Sequence, residues 1–221
     1  MLFRSFSTPP QWVQAVIAGG AKALVNAVEG AEDDGEKAAA DLKARKVGPK
    51  DVVVGVAASG KTPYTLAALE YAKSRGAQTV AVVAAPGSPM ARAAAAAIET
   101  AVGPEVITGS TRMKAGTAQK LVLNMISTAA MIRLGMTYSN WMINVSMTNS
   151  KLRERGVQIL REVLGVDADE ARQLSEKSGG RLKVAVVMGA TGCDREEAEQ
   201  RLEKGGGHLR RVIGHLGAGR E

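Results

Sequence analysis

The stretch 52-VVVGVAASGKTPYTLAALEYAKSRG-76 decides the fold of this chain. It opens with a continuous β-branched run, 52-VVVGVA-57, of the kind found in strands that are buried on both faces of a sheet. A bend of small residues follows, and the chain then enters a helical pattern with Pro63 near its start and Gly76 just past its end. The stretch therefore predicts a buried strand, a short loop and a helix.

Strands alternate with helices on both sides of this stretch. Helical patterns at 21-AKALVNAVEG-30 and 36-EKAAADLKAR-45 come before it, and a second strand, 79-TVAVVA-84, comes after it. That strand is stopped by 86-PGSP-89, and a weak third strand is predicted near 97-AIET-100. Such alternation is typical of an α/β fold, a parallel sheet flanked by helices.

The segment from Arg112 to Leu134 has apolar residues at helical spacing. Further apolar residues beside them widen this apolar stripe, so that little polar face is left on the predicted helix. A helix of that kind lies centrally in a core or packs against another subunit. We therefore expect one of these two placements, and the second favours a homodimer.

The last third of the chain contains an internal repeat at a spacing of 27 residues. The copies are 165-GVDADEARQLSEKSGGRL-182 and 192-GCDREEAEQRLEKGGGHL-209. Each predicts an Asp N-cap (Asp167, Asp194), a short helix, a Gly-rich C-cap and a second helix that begins at the final Leu. The repeat predicts a small helical bundle.

These patterns divide the chain into two predicted domains. Residues 1–148 form the sheet domain, and residues 149–221 form a helical domain that contains the repeat. A helix at about 149–164 opens the second domain.

Composition excludes several classes of function. Apolar residues make up 45% of the 221 residues, whereas aromatic residues make up 3%, which leaves few rings to stack on bases. The net charge is +7, and it indicates either a solvated basic surface or an anionic small-molecule ligand. Because the basic residues are spread among acidic ones, we expect no nucleic acid. The single cysteine permits neither an internal disulfide nor a thiolate metal cluster. Without a long apolar run or a leader pattern, the expected location is the cytoplasm, with no membrane contact.

The bend 55-GVAASGKT-62 spells G-x-x-x-x-G-K-[ST], the phosphate-binding loop of nucleotide triphosphatases. Those enzymes hold Mg²⁺ in part through an Asp at the end of a second strand, and 79-TVAVVAAPG-87 contains none. The sequence therefore disfavours a triphosphatase. Backbone N–H groups at a helix start, with the hydroxyls of Ser59 and Thr62, suit a single phosphate monoester instead. The alternative is a turn of small residues that binds no ligand.

Three stretches carry a resemblance to a known family: 57-AASGKTPY-64, 86-PGSP-89 and 102-VGPEVITGSTRMKAGTAQKLVLNM-125. Together they resemble the N-acetylmuramic acid 6-phosphate etherases, which are sugar isomerase domain enzymes, and the likeness runs from about Phe6 to the C-terminus. The family usually has Arg where this chain has Lys61, so one substitution creates the triphosphatase spelling.

The resemblance implies a substrate site without metal or other cofactor, occupied by a phosphorylated amino sugar. By this likeness Ser59, Gly60 and Thr62 hold the 6-phosphate, with Lys61 beside them. A second wall of the site is implied for 109-GSTRMKAGT-117, where the candidates are Ser110, Thr111 and Lys114. A glutamate of the family's V-E-G-A-E-D stretch is catalytic, and here it corresponds to Glu32.

The activity implied is removal of D-lactate from carbon 3 of N-acetylmuramic acid 6-phosphate, which leaves N-acetylglucosamine 6-phosphate, as in cell-wall sugar recycling. The likeness also implies that the family's first strand, its Gly-Thr-Ser-Gly-Arg loop and a second catalytic glutamate precede the position that matches Met1. Two functions stay open at this point. The chain is either the etherase, a carbon–oxygen lyase, or a catalytically incomplete fragment or regulator that binds a sugar phosphate.

Overall fold

The computed structural model describes residues 6, 8–145, 147 and 149–214. The chain forms two compact units, which we call the sheet unit, residues 14–123, and the helical unit, residues 1–13 and 124–221 as far as they are described. The division falls inside one long helix. The domain boundary predicted at residue 148 stays a prediction.

The sheet unit is an α/β structure with a three-stranded parallel sheet in the order β1-β2-β3. This confirms the predicted fold class. Val54 pairs with Val80, and Val82 pairs with Ile98, so β2 is the middle strand. The elements in chain order are α1 (Gly35–Ala44), β1 (Val52–Val56), α2 (Pro63–Ser74), β2 (Gln78–Val83), α3 (Pro89–Ala93), β3 (Ala96–Glu99) and α4 (Lys114–Arg133), whose last part belongs to the helical unit.

Local sequence explains where the helices of the sheet unit begin. The Asp34 carboxylate accepts a hydrogen bond from the Lys37 N–H at 2.8 Å and so caps α1. Pro63 is the first residue of α2, where its missing N–H costs nothing. Two apolar clusters then hold the unit together. One is formed by Ala38, Leu42, Tyr64, Ala68, Ala72 and Ala77, and the other by Leu69, Ala81, Val83 and Met90.

The burial predicted for β1 is wrong. Val52 is 60% exposed, and Gly55 is the only fully buried residue of the strand. The reason is strand order, because β1 is an edge of the described sheet while β2 is paired on both sides. The buried apolar strand is β2, in which Ala81, Val82 and Val83 are all inaccessible to solvent.

The helix predicted at 21–30 is also wrong. The structure has only a 3₁₀ turn, Gly20–Leu24, in this segment, and Leu24 and Val25 are 71% and 83% exposed. A short helix needs a surface that covers its apolar stripe, and these side chains find none in the described unit. Further 3₁₀ turns lie at Pro10–Trp12 and Ala31–Asp33.

Helix α4 is less buried than its sequence predicted. A central position in the core is wrong, because the helix exposes many large apolar side chains. Those exposed are Leu121, Leu123, Met125 and Ile132. The alternative, packing against another subunit, stays a prediction.

The helical unit follows the repeat seen in the sequence. Asp167 and Asp194 cap their helices by accepting backbone N–H bonds, and the second helices begin at Leu182 and Leu209, all as predicted. The sequence did not predict a small antiparallel pair, β4 (Thr137–Tyr138) and β5 (Trp141–Met142). The helices are α5 (Ser150–Leu164), α6 (Ala168–Lys177), α7 (Leu182–Thr191), α8 (Arg195–Lys204) and α9 (Leu209–Ile213).

Apolar side chains of α5, α6, α7, α8 and α9 form the core of the helical unit, and α7 is its most buried helix, with Val186 and Val187 fully enclosed. Across the described ranges, no helix combines the length and the apolar character that crossing a membrane requires.

Candidate functional site

The loop of residues 57–62, which we call the phosphate loop, leaves the carboxyl end of β1 and enters α2. Ligands of parallel α/β sheets bind outside this end of the strands. The loop is tied to the segment that follows β2, because the Ala84 N–H donates to the Ala58 carbonyl at 2.9 Å and the Met90 N–H donates to the Gly60 carbonyl at 3.0 Å. Hydrogen bonds therefore join the segments that follow β1 and β2 into one surface at the carboxyl end of the sheet.

Hydrogen-bond donors remain available in the phosphate loop and in the first turn of α2. Ser59 is exposed, and its Oγ accepts a long bond of 3.3 Å from the Lys61 N–H, which leaves the hydroxyl proton for another acceptor. Thr62 is the N-cap residue of α2, yet its hydroxyl caps no N–H group. The N–H groups of Tyr64 and Thr65 lie in the first turn of α2, where a helix offers no internal acceptor. Together with the helix dipole, this set can bind one phosphate group.

Gly60 is the residue on which the shape of the phosphate loop depends. Its φ is +62°, a left-handed conformation that favours glycine. A Cβ at this position would overlap the Ser88 side chain and lie 3.1 Å from Val83 Cγ1. Both the conformation and the space therefore require glycine.

Ser88 is a residue of this site that the sequence did not reveal. It is only 5% exposed, and its Oγ has no hydrogen-bond partner among the described residues. The sequence marked 86-PGSP-89 as the end of a strand and as part of the family likeness, but it named no site residue there. Its contact with Gly60 joins positions 28 residues apart, so the local pattern carries no signal for it.

Glu32 lies in the 3₁₀ turn Ala31–Asp33, and its side chain is exposed. This turn packs against α2. Just beyond it, a Cβ on Gly35 would lie 3.1 Å from Ala67 Cβ and 3.9 Å from the Pro63 carbonyl oxygen. The structure thus brings the turn with Glu32 beside the helix that begins at the phosphate loop. The catalytic role of Glu32 stays a prediction.

A hydrogen bond between α1 and α2 fixes the start of α2. The Tyr64 hydroxyl donates to the Asp41 carboxylate at 2.6 Å, and Lys37 Nζ lies 2.9 Å from the same carboxylate. The hydrogen bond from Tyr64, with a further contribution from Lys37, lowers the pKa of Asp41 below its ordinary value of 3.8. Burial, together with this bond to Asp41, raises the pKa of Tyr64. The first turn of α2 is therefore held by a charge-assisted contact.

The predicted second wall, residues 109–117, leads into α4. Ser110 is half-buried, Thr111 is exposed, and Lys114 is the first residue of α4. Lys114 Nζ donates to the Pro104 carbonyl at 2.9 Å. Within the ranges that the structure describes, no hydrogen bond or ion pair joins these three side chains to the phosphate loop. Their role in binding stays a prediction.

Glu105 closes the N-terminus of α4, which the sequence did not predict. Its carboxylate accepts the N–H groups of Lys114 and Ala115 at 3.0 and 3.1 Å. These backbone hydrogen bonds lower the pKa of Glu105. The positive end of α4 is therefore already occupied by an anionic side chain of the same unit.

The donors of the candidate site are hydroxyl, amide and ammonium groups. Over the part of the chain that is described, no group of three or more His, Cys, Asp or Glu side chains is placed to hold a metal ion.

Comparison with known proteins gives a consistent result. The family model of the SIS domain matches residues 23–129. N-acetylmuramic acid 6-phosphate etherase of Geobacillus thermodenitrificans is 53% identical over 184 residues, which cover 83% of this chain and 62% of that protein. The etherase of Symbiobacterium thermophilum is 56% identical over 183 residues, covering 83% and 61%. The etherase of Jannaschia sp. is 52% identical over 182 residues, covering 82% and 58%.

The chain spans about three fifths of the length of these curated relatives. The matched SIS domain includes Glu32, the phosphate loop and the segment with Ser110, Thr111 and Lys114. The parallel sheet of the structure agrees with that match. Residues 23–129 match the SIS domain, and over 83% of its length the chain is similar to N-acetylmuramic acid 6-phosphate etherases.

Proposed function

We propose that the protein cleaves the lactyl ether of N-acetylmuramic acid 6-phosphate to give N-acetylglucosamine 6-phosphate and D-lactate. The observation that carries this proposal is the 48–56% identity to proteins named as etherases for that substrate. The activity is that of a carbon–oxygen lyase in amino sugar metabolism.

The phosphate loop is the proposed site of the 6-phosphate. Ser59 and Thr62 have hydroxyls to donate, Gly60 lets the backbone come close, and the exposed Lys61 ammonium lies next to them. Charge-assisted hydrogen bonds of this kind are about twice as strong as neutral ones. Ser110, Thr111 and Lys114 are the proposed contacts on the sugar side.

The chemistry proposed for Glu32 is proton transfer. An ether is a poor leaving group, so the route is elimination followed by addition. Opening of the sugar ring exposes an aldehyde, which acidifies the hydrogen on carbon 2. A carboxylate takes that proton, the bond from carbon 3 to the lactyl oxygen breaks as this oxygen is protonated, and water adds to carbon 3 of the conjugated alkene. Because carboxyl groups can carry out all of these proton transfers, the route needs no cofactor.

Release of D-lactate from N-acetylmuramic acid 6-phosphate tests the proposal. We expect the wild-type chain to release it and Glu32→Gln to reduce kcat by a factor of about 10²–10⁴, the usual contribution of one acid–base group. Glu36→Gln is the matched control, since Glu36 is also exposed and lies four residues away in the first turn of α1. Equal loss in both variants would contradict a specific role for Glu32.

Binding of N-acetylglucosamine 6-phosphate is measured separately by calorimetry, with unphosphorylated N-acetylglucosamine as control. Saturable binding of the phosphorylated sugar without any release of D-lactate by the wild-type chain would overturn the etherase proposal and leave a sugar-phosphate-binding protein. Absence of binding would remove the role of the phosphate loop.

We also propose that the protein is a homodimer and acts in the cytoplasm. The exposed apolar side chains of α4 support self-association, because several large exposed apolar side chains on one helix are typical of an interaction site. A phosphorylated sugar is an ion that does not cross a bilayer unaided. An enzyme that acts on it therefore works in the compartment where the sugar is phosphorylated, which we propose is the cytoplasm.

A further inference from the structure

Ser88 is a buried residue that the proposed function does not yet use. It ends the segment after β2 and precedes α3, whose Met90 N–H donates to the Gly60 carbonyl at 3.0 Å. Although Ser88 stands at the N-cap position of α3, its side chain caps no N–H group. Its Oγ is inaccessible and has no partner in the described structure.

Gly60 leaves the space that this hydroxyl occupies. A Cβ on Gly60 would lie 2.5 Å from Ser88 Cβ and would overlap Ser88 Oγ. The Ser88 hydroxyl therefore lies directly against the backbone of the phosphate loop. Val83 Cγ1, on the same side of Gly60, provides no polar atom.

A hydroxyl in such a place lowers the stability of the unliganded protein. Buried polar groups are almost always hydrogen-bonded, and an unpaired one retains the full penalty of its lost hydration. An alanine at position 88 would fill nearly the same volume without that penalty. A state of the protein in which the hydroxyl is bonded would explain its presence.

We propose that Ser88 is a positioning residue of the phosphate loop, whose hydroxyl gains its hydrogen bond when the sugar phosphate draws the loop inward. Gly60 has no side chain. A small rotation of the backbone at this residue therefore brings N–H and C=O groups of the loop toward Ser88 Oγ. Two hydrogen bonds within the loop are long, the Lys61 N–H to Ser59 Oγ and the Gly60 N–H to the Ala57 carbonyl, both at 3.3 Å, so little hydrogen-bond energy opposes a small rotation at Gly60.

This inference rests on the proposed function, since it takes a phosphorylated sugar as the ligand of the loop. It is tested with Ser88→Ala. We expect the melting temperature of the free protein to rise by about 1–3 °C. We expect affinity for N-acetylglucosamine 6-phosphate to fall by about tenfold, and the increase in melting temperature at saturating ligand to shrink accordingly.

Ser178→Ala is the matched control. Ser178 is also fully buried, but its Oγ already donates to the Ser175 carbonyl at 2.8 Å in the helical unit. This variant should lower the melting temperature and leave the affinity for the phosphorylated sugar unchanged. The two serine variants therefore change stability in opposite directions, and only Ser88→Ala changes binding.

Each outcome decides the question. Equal affinity of the wild type and Ser88→Ala would overturn the inference while the proposed function stands. A fall in the melting temperature of free Ser88→Ala would also overturn it, because the hydroxyl would then be bonded without ligand. Failure of the wild type to bind the sugar phosphate would contradict the proposed function itself, and the inference with it.

Discussion

Gly60 carries two requirements at a single position. Its left-handed φ of +62° excludes most side chains on conformational grounds, and the neighbouring Ser88 excludes a Cβ on grounds of space. Gly87, in the adjacent segment, has a similar φ of +64° but open space where its Cβ would be. The pair separates the two requirements experimentally.

We expect Gly60→Ala to lower the free energy of unfolding by about 2–5 kcal/mol, as left-handed strain and overpacking add. Gly87→Ala should cost about 1–2 kcal/mol, from strain alone. Urea denaturation of both variants measures the difference. Equal costs would show that Ser88 moves aside freely and that space at Gly60 is not limiting.

Prediction from sequence succeeded where the conformation is local in the chain. The phosphate loop, residues 57–62, is a contiguous strand-to-helix bend, so its conformation follows from these six residues. Ser88 and the capping carboxylate of Glu105 act across 28 and about nine positions, and their contacts exist only once the chain has folded. The catalytic role of Glu32 came from the family likeness, since an exposed acidic turn has no local signature of its own.

At the scale of elements, the contact between α1 and α2 matters for the site because it holds the first turn of α2. Tyr64 is buried and donates to the partly buried Asp41 carboxylate, whose lowered pKa reflects that bond first and Lys37 second. A depressed carboxyl pKa contributes stability above the unfolded value of 3.8, and this stability is lost as the pH falls through the folded value.

We therefore expect Tyr64→Phe to lower the free energy of unfolding by about 1.5 kcal/mol at pH 7, with the gap to wild type shrinking below a pH of about 3.8. Urea titrations at several pH values measure this. Tyr71→Phe is the control on the same helix, because the Tyr71 hydroxyl makes no hydrogen bond within the described residues. A gap that is constant down to pH 2.5 would contradict the role of the Asp41 carboxylate.

The elements themselves were predictable to different degrees. Helix starts in the repeat were predicted correctly at Asp167 and Asp194, because capping depends on residues two or three positions apart. The burial of β1 and the helix at 21–30 were predicted wrongly. The burial of a strand and the formation of a short helix both depend on whether another element covers the apolar face. A sequence pattern predicts that such a face exists, but it does not predict which element packs against it.

At the scale of the whole molecule, α4 is the described helix whose exposed apolar side chains support a partner subunit. Met125 is 62% exposed, although its helix is rich in apolar residues. A homodimer that covers this surface follows from the proposal above. Burial of an unpaired carboxylate costs several kcal/mol, so a charge placed there reports directly on the interface.

We expect Met125→Glu to weaken self-association by about 100-fold, measured by sedimentation equilibrium. Lys120→Glu, a charge reversal at an exposed polar position of the same helix, should leave self-association within a few fold of the wild type. Monomeric wild-type protein at micromolar concentration would contradict the dimer, and equal effects of the two variants would place the interface elsewhere.

Strand β1 has a practical consequence for anyone who handles the protein. The strand is rich in valine and is an edge strand of the described sheet. The unpaired N–H and C=O groups of an edge strand can pair with an extended segment of another chain, which leads to aggregation or fibrils. Colloidal stability of a concentrated solution should therefore depend on what shields Val52 to Val56. A lysine introduced at the 60% exposed Val52 would act as a gatekeeper and suppress turbidity on storage while leaving the interior strand β2 intact.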